Sequence, residues 1–176
     1  MNSIESTAVV AIGSNLGEPK KHLLDAHRDL IRLKACKDFI FSPIYKTKPV
    51  ACANAPYFLN AVASFTTTLK PAELLESLLL IESNNGRIRT GVNGARTLDL
   101  DLILHGDTVI ESKTLSLPHP RFHERFFVLI PLNDIRPDFV HPLLNKSIKN
   151  LLQSLAKDND VNQFAQPFCR AFSDLS

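Results

Sequence analysis

The sequence predicts an α+β fold, a two-layer sandwich with helices packed on one face of a mainly antiparallel sheet. Three observations carry this. Apolar runs of period two alternate with stripes at helical spacing, prolines stand where helices begin, and the elements so delimited run strand, helix, strand, strand, helix, strand. That order is the order of a ferredoxin-like sandwich.

Each element has a local reason. Ala8 to Ile12 is short, apolar and rich in β-branched residues, and it ends at Gly13-Ser14-Asn15, so it reads as a buried strand. Pro19 suits a first helical turn, and Leu23, Leu24, His27, Leu30, Ile31 and Lys34 recur at helical spacing, which predicts a helix over 19–34. Phe39 to Thr47 is aromatic and β-branched but broken by Pro43, the mark of an edge or bulged strand. Lys48 to Pro56 is a loop. From Tyr57 to Leu69, Leu59, Ala61, Ala63 and Phe65 alternate with Asn60, Ser64 and Thr66, as in a strand with one wetter face. Pro71 opens a second helix with the stripe Leu74, Leu75, Leu78 and Ile81, and Asn84-Asn85-Gly86 stops it.

Leu98 to Leu104 alternates again, with Leu98, Leu100, Leu102 and Leu104 on one face and Asp99, Asp101 and Ile103 on the other. Gly106-Asp107 turns into a short strand at Thr108 to Ile110, Leu115 to Pro120 is extended, and Phe126 to Leu132 is a short apolar segment. Asn145 is placed to cap a last helix carrying Ile148, Leu151, Leu152 and Leu155. Phe164, Phe168 and Phe172 stand four apart, which predicts a weak helix on the body. With 176 residues and no Gly/Ser-rich or Pro-rich linker, we expect one domain over 1–156 and a tail over 157–176.

Composition excludes several classes of function. At 44% hydrophobic and 22% charged residues the chain is neither disordered nor collagen-like. Twenty Lys and Arg against 18 Asp and Glu give a net charge of +2, too balanced for bulk attraction to nucleic acid or a membrane surface. The three cysteines Cys36, Cys52 and Cys169 are far apart and form no Cys-x-x-Cys pair, which argues against a disulfide framework or a thiolate metal site and fits a reducing cytoplasm. The N-terminus lacks the pattern of a signal peptide and no apolar run approaches a membrane span, so neither secretion nor insertion is expected.

The chemistry concentrates around Asp99 and Asp101. Two apart on a strand, both carboxylates leave one face of the sheet with Cβ atoms about 6.5–7 Å apart. Paired carboxylates repel unless a cation lies between them, and hard oxygen donors favour Mg²⁺ over zinc. The bland alternative is the solvated face of a half-buried strand. What argues against it is the company: Arg87, Arg89 and Arg96 stand just upstream in a segment punctuated by Gly86, Gly91 and Gly94, with no carboxylate between Gly86 and Leu98 to pair them. A second cationic set, His119, Arg121, His123 and Arg125, follows.

Magnesium carboxylates with convergent arginines describe a polyphosphate site, and its cargo is a nucleoside triphosphate. The turn at Gly13 to Gly17 is too short for a Walker loop, and no Gly-Lys-Ser/Thr occurs, so side chains must hold the phosphates. For an acceptor, Tyr57, Phe58, Phe126 and Phe127 offer rings to sandwich a flat heteroaromatic group whose edge Asn60 reads. A nucleotidyltransferase or phosphohydrolase would use the same carboxylates and arginines. A ferredoxin-like RNA-binding module would not, since the aspartates repel a nucleic-acid backbone.

These residues occur in an ordered set of motifs. Gly94-Ala95-Arg96-Thr97-Leu98-Asp99-Leu100-Asp101-Leu102-Ile103 is the most specific, supported by Ala11-Ile12-Gly13-Ser14-Asn15-Leu16, Tyr45-Lys46-Thr47, Phe58-Leu59-Asn60-Ala61, Ile81-Glu82 before Gly86-Arg87, Pro118-His119-Pro120-Arg121, and Arg125 with Phe127. From Ala8 to about Leu155 the chain resembles the hydroxymethyl-dihydropterin pyrophosphokinases of folate biosynthesis. The resemblance implies a ferredoxin-like fold and transfer of the terminal pyrophosphoryl group of ATP to the hydroxymethyl oxygen of 6-hydroxymethyl-7,8-dihydropterin, releasing AMP. It implies that Asp99 and Asp101 hold two Mg²⁺ ions, and that Arg87 and Arg96 act on the phosphates. It further assigns Glu82, Arg89, Leu102, Ser116, His119 and Arg125 to ATP, and Thr47, Val50, Phe58, Asn60 and Phe127 to the pterin. A cytoplasmic monomer with no nucleic-acid or membrane partner is expected. Val92, Asn93 and Ala51 depart from the family pattern.

Overall fold

The computed structural model describes residues 4–48, 56–86, 97–156 and 165–175. Strand β1 (Ser6–Ser14) runs through the middle of the main sheet, antiparallel both to β4 (Phe58–Thr67) and to β5 (Asp99–His105). On the far side of β4 lie β2 (Cys36–Phe41) and β3 (Ile44–Thr47), and β8 (Ala165–Cys169) completes the edge, giving the order β5-β1-β4-β3-β8 with β2 also on β4. The strand expected over Phe39 to Thr47 is thus two pieces along one neighbour. Pro43 cannot donate to a ladder, and Ser42 spans the break: its N–H donates to the Val62 carbonyl and its Oγ accepts the Val62 N–H, both at 2.9 Å.

Helices α1 (Pro19–Leu30) and α2 (Pro71–Asn84) begin at their prolines and lay Leu23, Ala26, Leu30, Leu74, Leu78 and Ile81 on the face of the sheet that carries Val10, Ile12, Ala61, Ala63 and Phe65. Glu73 accepts the Lys70 N–H at 2.8 Å, supplying a cap where Lys70 is not a customary one.

The ferredoxin-like α+β sandwich is borne out, and the expectation that its helices lie on one face is corrected. Helices α3 (Phe126–Ile135) and α4 (Ile148–Ala156) cover the other face, where Val128, Leu129, Leu132, Ile148 and Leu151 enclose Val9, Val62 and Ile103. The physical reason lies in β1: Val9 and Val10 are both fully buried, so neither face of the central strand is open to water.

Four smaller expectations change as well. A bulge between Val9 and Val10 leaves Ile103 without an opposite residue, so Leu104 turns to the α3 face instead of joining Leu98, Leu100 and Leu102. Phe126 to Leu132 is helical. Ser147 rather than Asn145 caps α4, accepting the Asn150 N–H at 3.2 Å, while Asn145 takes φ 51° in the preceding turn. Phe168 lies on β8, an extended strand in place of a helix, and Phe172 lies in a short 3₁₀ turn over Phe172–Leu175; Phe164 is outside the described residues.

Candidate functional site

The sheet register decides which side chains share a surface. Asp99 stands opposite Gly13, Gly13 opposite Asn60, and Asn60 opposite Tyr45, so one row of four strands faces the α3 side. Asp101, Ala11 and Val62 form the row beside it, and Thr47 opposite Phe58 the row beyond. Asp99 and Asp101 therefore point to the same face as Asn60, Thr47 and Phe58. From the Asp99 column to the Asn60 column is two strand spacings, about 10 Å.

Between them the floor is glycine. A Cβ on Gly13 would stand 3.0 Å from Asn60 Oδ1, so the absent side chain keeps the amide in place and the floor flat. Asn60 is itself buried, and its Nδ2 donates to Thr47 Oγ1 at 2.7 Å, which fixes the plane of the amide before any ligand arrives. Tyr45 donates its phenol to Asp134 Oδ2 of α3 at 2.6 Å, tying β3 to that helix. Burial, then that bond, holds the Tyr45 phenol above its ordinary range, and burial also pushes the Asp134 carboxyl up. Phe127 lies in the first turn of α3, partly buried against the second core, with the Arg125 guanidinium 5.7 Å from its ring centre.

At the outer edge of β5 a cavity of about 290 Å³ opens. Its wall combines Glu82 of α2, Asp101 and Leu102 of β5, and Ser116 and His119, with Lys113 from the turn between β6 (Ile110–Glu111) and β7 (Ser116–Leu117). Glu82 is 3% exposed, and its Oε1 accepts the N–H of Leu100 at 2.7 Å. Leu100 separates the two aspartates, so Glu82 sets the edge strand at the point where the carboxylates leave it. The His119 N–H donates to the Ile103 carbonyl at 2.9 Å, which lodges the imidazole beside the same strand, and its buried Nδ1 has no hydrogen-bond partner among the described residues.

Four residues expected at ATP, Glu82, Leu102, Ser116 and His119, thus gather around one cavity with Asp101. Arg125 does not line it and lies with Phe127 instead. Thr47, Phe58 and Asn60 share adjacent strands. Arg87, Arg89, Arg96 and Val50, with Val92, Asn93 and Ala51, lie outside the described residues. Lys113 carries no mark in the sequence, and Gly13, expected where the first strand ends, lies inside β1. Among the described residues no group of three or more His, Cys, Asp or Glu side chains gathers to hold a metal by itself. The donor set at Asp99 and Asp101, two hard carboxylates on one face, suits Mg²⁺ that takes its remaining ligands from substrate phosphates. Among the described residues, no helix is long and apolar enough to cross a membrane.

Known proteins resemble this chain in sequence and in fold. Residues 9–137 match the family described as 7,8-dihydro-6-hydroxymethylpterin-pyrophosphokinase. A 2-amino-4-hydroxy-6-hydroxymethyldihydropteridine pyrophosphokinase of Haemophilus influenzae is 40% identical over 136 residues, covering 77% of this chain and 85% of that protein. The folic acid synthesis protein fol1 of Pneumocystis carinii is 41% identical over 161 residues, and there the chain spans 91% of itself but only 22% of the relative. Among solved structures, the wild-type HPPK-DHPS of Plasmodium falciparum with pteroate superposes with a TM-score of 0.75 at 15% identity, over 95% of this chain and 46% of that one, a likeness of fold.

Proposed function

The chain belongs to the 7,8-dihydro-6-hydroxymethylpterin-pyrophosphokinase family of folate synthesis, and from that premise we propose how its residues divide the transfer of pyrophosphate from ATP to 6-hydroxymethyl-7,8-dihydropterin. One observation carries the division. Asp101 borders the cavity at the β5 edge and also shares the sheet face of Asn60, so a phosphate chain leaving the cavity meets the acceptor over the Gly13 floor.

In this reading Glu82, Leu102, Ser116 and His119 seat the nucleotide. Phe58 and Phe127 stack the pterin, Asn60 reads its edge with the amide proton and carbonyl that Thr47 leaves available, and backbone near Thr47 and Val50 completes the recognition. The acceptor hydroxyl oxygen bonds to the β-phosphorus of ATP, the bond from that phosphorus to the oxygen bridging the α-phosphate breaks, and AMP leaves while the hydroxyl gives up its proton. Asp99 and Asp101 would hold Mg²⁺, two ions, which supplies neutralisation of the triphosphate and polarisation of the acceptor alcohol. Arg87 and Arg96 act on the phosphates, Arg96 nearest the transferring group, with Arg89 and Arg125 adding contacts to ATP. The enzyme works as a monomer in the cytoplasm, without nucleic-acid or membrane partners.

Incubation with ATP, Mg²⁺ and 6-hydroxymethyl-7,8-dihydropterin tests the reading. The expected products are AMP and pterin diphosphate in equal amounts. Release of inorganic pyrophosphate with a nucleotidylated product would replace pyrophosphoryl transfer by nucleotidyl transfer.

A further inference from the structure

Strand β8 lies beyond residue 137, where the family match ends, and it closes the acceptor side of the sheet. Its register sets Ala165 opposite Thr47, Gln166 opposite Lys46 and Pro167 opposite Tyr45. Thr47 and Tyr45 are the two positions of β3 (Ile44–Thr47) that make outward side-chain bonds. The Thr47 hydroxyl accepts the Asn60 amide, and the Tyr45 phenol donates to Asp134 on the helix that carries Phe127. Ala165 is buried in a cluster with Phe126 and Ile130, against which Tyr45 packs.

The far end of the same segment is gripped on the opposite face of the sheet. Phe172 stacks on His27 of α1 with ring centres 4.9 Å apart and meets Phe41 of β2 edge-on at 5.1 Å. Leu175 is buried in the same core. The segment therefore wraps around the sheet edge, anchored below by Phe172 and above by Ala165. A four-residue strand held by one neighbour is a weakly ordered edge, and β8 supplies the second neighbour.

We propose that residues 165–175 are a positioning element of the acceptor site, which by pairing with β3 holds Thr47 and Tyr45, and through them Asn60 and Phe127, in the arrangement that receives the planar ring. The proposal rests on the acceptor reading of Asn60, Phe58 and Phe127 given above. The segment acts through β3 and does not touch the acceptor. Its effect is selective: disorder introduced at β3 must be removed when the acceptor binds, while the cavity at β5 lies at the opposite edge of the sheet.

The test uses the full chain with Phe172→Ala, a chain shortened to end at Gln163, and steady-state kinetics with each substrate varied. Both variants are expected to keep the wild-type circular dichroism spectrum and to raise KM for 6-hydroxymethyl-7,8-dihydropterin by about tenfold, with KM for ATP and kcat within about twofold. Phe172→Leu restores most of the difference, and a peptide of residues 165–176 added to the shortened chain lowers the acceptor KM again. An unchanged acceptor KM in a folded variant, or an equal rise in both KM values, overturns the proposal. If the shortened chain does not fold, Phe172→Ala decides; if neither folds, the segment is a fold element and the proposal falls. Wild-type enzyme that ignores this acceptor would overturn the acceptor reading instead, which keeps the two failures apart.

Discussion

Strands β5 and β3 flank the same working surface but differ in what their side chains face across it. On β3 and its neighbour β4, side chains are tied to one another and to α3 before an acceptor arrives: Thr47 to Asn60, Tyr45 to Asp134. On β5 the two aspartates face Gly13 and Ala11 across the strand boundary, residues too small to fill the space above them. A neutral ring is recognised by shape and a few directed hydrogen bonds, so its site is best built rigid. A phosphate chain with its cations is recognised by charge, which needs room more than a preset angle. The two halves of the surface are each suited to one substrate.

Removing charge on β5 breaks this contrast most severely. Asp99→Asn or Asp101→Asn keeps the shape of the site and removes the carboxylate, and turnover is expected to fall by about 10³-fold or more. Binding of the pterin, followed by its fluorescence, should be weakened far less. A variant that releases AMP at a near-normal rate would remove these aspartates from the reaction.

Much of this contrast was legible in the chain. An i, i+2 pair on a strand shares a face whatever the strand pairs with, so Asp99 and Asp101 could be read directly. Pro43 announced its break, and Pro19 and Pro71 their helices. What escaped depends on partners distant in sequence. The bulge at Ile103 belongs to the β1–β5 pairing and has no local mark. Helix α3 is apolar nearly all round, with Phe126 and Val128 to Leu132 buried and Pro131 within it, so it lacks the stripe that betrays a surface helix. Strand β8, Ala-Gln-Pro-Phe-Cys, does not alternate, and only the β3 edge makes it a strand. The bond from Asn60 to Thr47 likewise exists through the β3–β4 register.

The next effect concerns how β5 is held. Glu82→Ala leaves the Leu100 N–H buried without its acceptor, a loss of about 1–3 kcal/mol measurable by urea unfolding. Because Leu100 lies between the aspartates, turnover should fall with stability, whereas Glu82→Gln, which retains an accepting oxygen, should recover most of both. If stability falls and turnover per folded molecule does not, Glu82 supports the fold without setting the carboxylates.

On the acceptor side the expected effects are smaller and appear in one KM. Thr47→Val removes the oxygen that orients Asn60 and should raise the acceptor KM about five- to tenfold, roughly 1–1.4 kcal/mol. Thr47→Ser should approach wild type. Gly13→Ala brings a methyl to within 3.0 Å of Asn60 Oδ1, so the amide must shift by a few tenths of an ångström, and a several-fold rise in the same KM is expected. Equal rises in the ATP KM would show that the two halves are not separable.

The smallest effect is one of pH. His141, 3% exposed, lies flat against Phe122 with ring centres 5.0 Å apart, and its Nδ1 accepts the N–H groups of Leu143 and Leu144 at 3.2 and 3.3 Å. Burial, with a lesser contribution from His123 at 5.6 Å, lowers its pKa below the ordinary 6.5. His123 in turn stands 3.8 Å from Glu124. A proton on Nδ1 would cancel both backbone bonds. Since the unfolded chain takes up its proton first as pH falls through 6.5, stability is level above that value and declines below it. The midpoint of thermal unfolding should therefore drop between pH 7 and pH 5.5. His141→Asn, whose amide oxygen can accept the same N–H groups but does not titrate, should flatten the decline; His27, also lowered by burial, leaves a remainder. An unaltered slope in His141→Asn would assign the pH dependence to other groups.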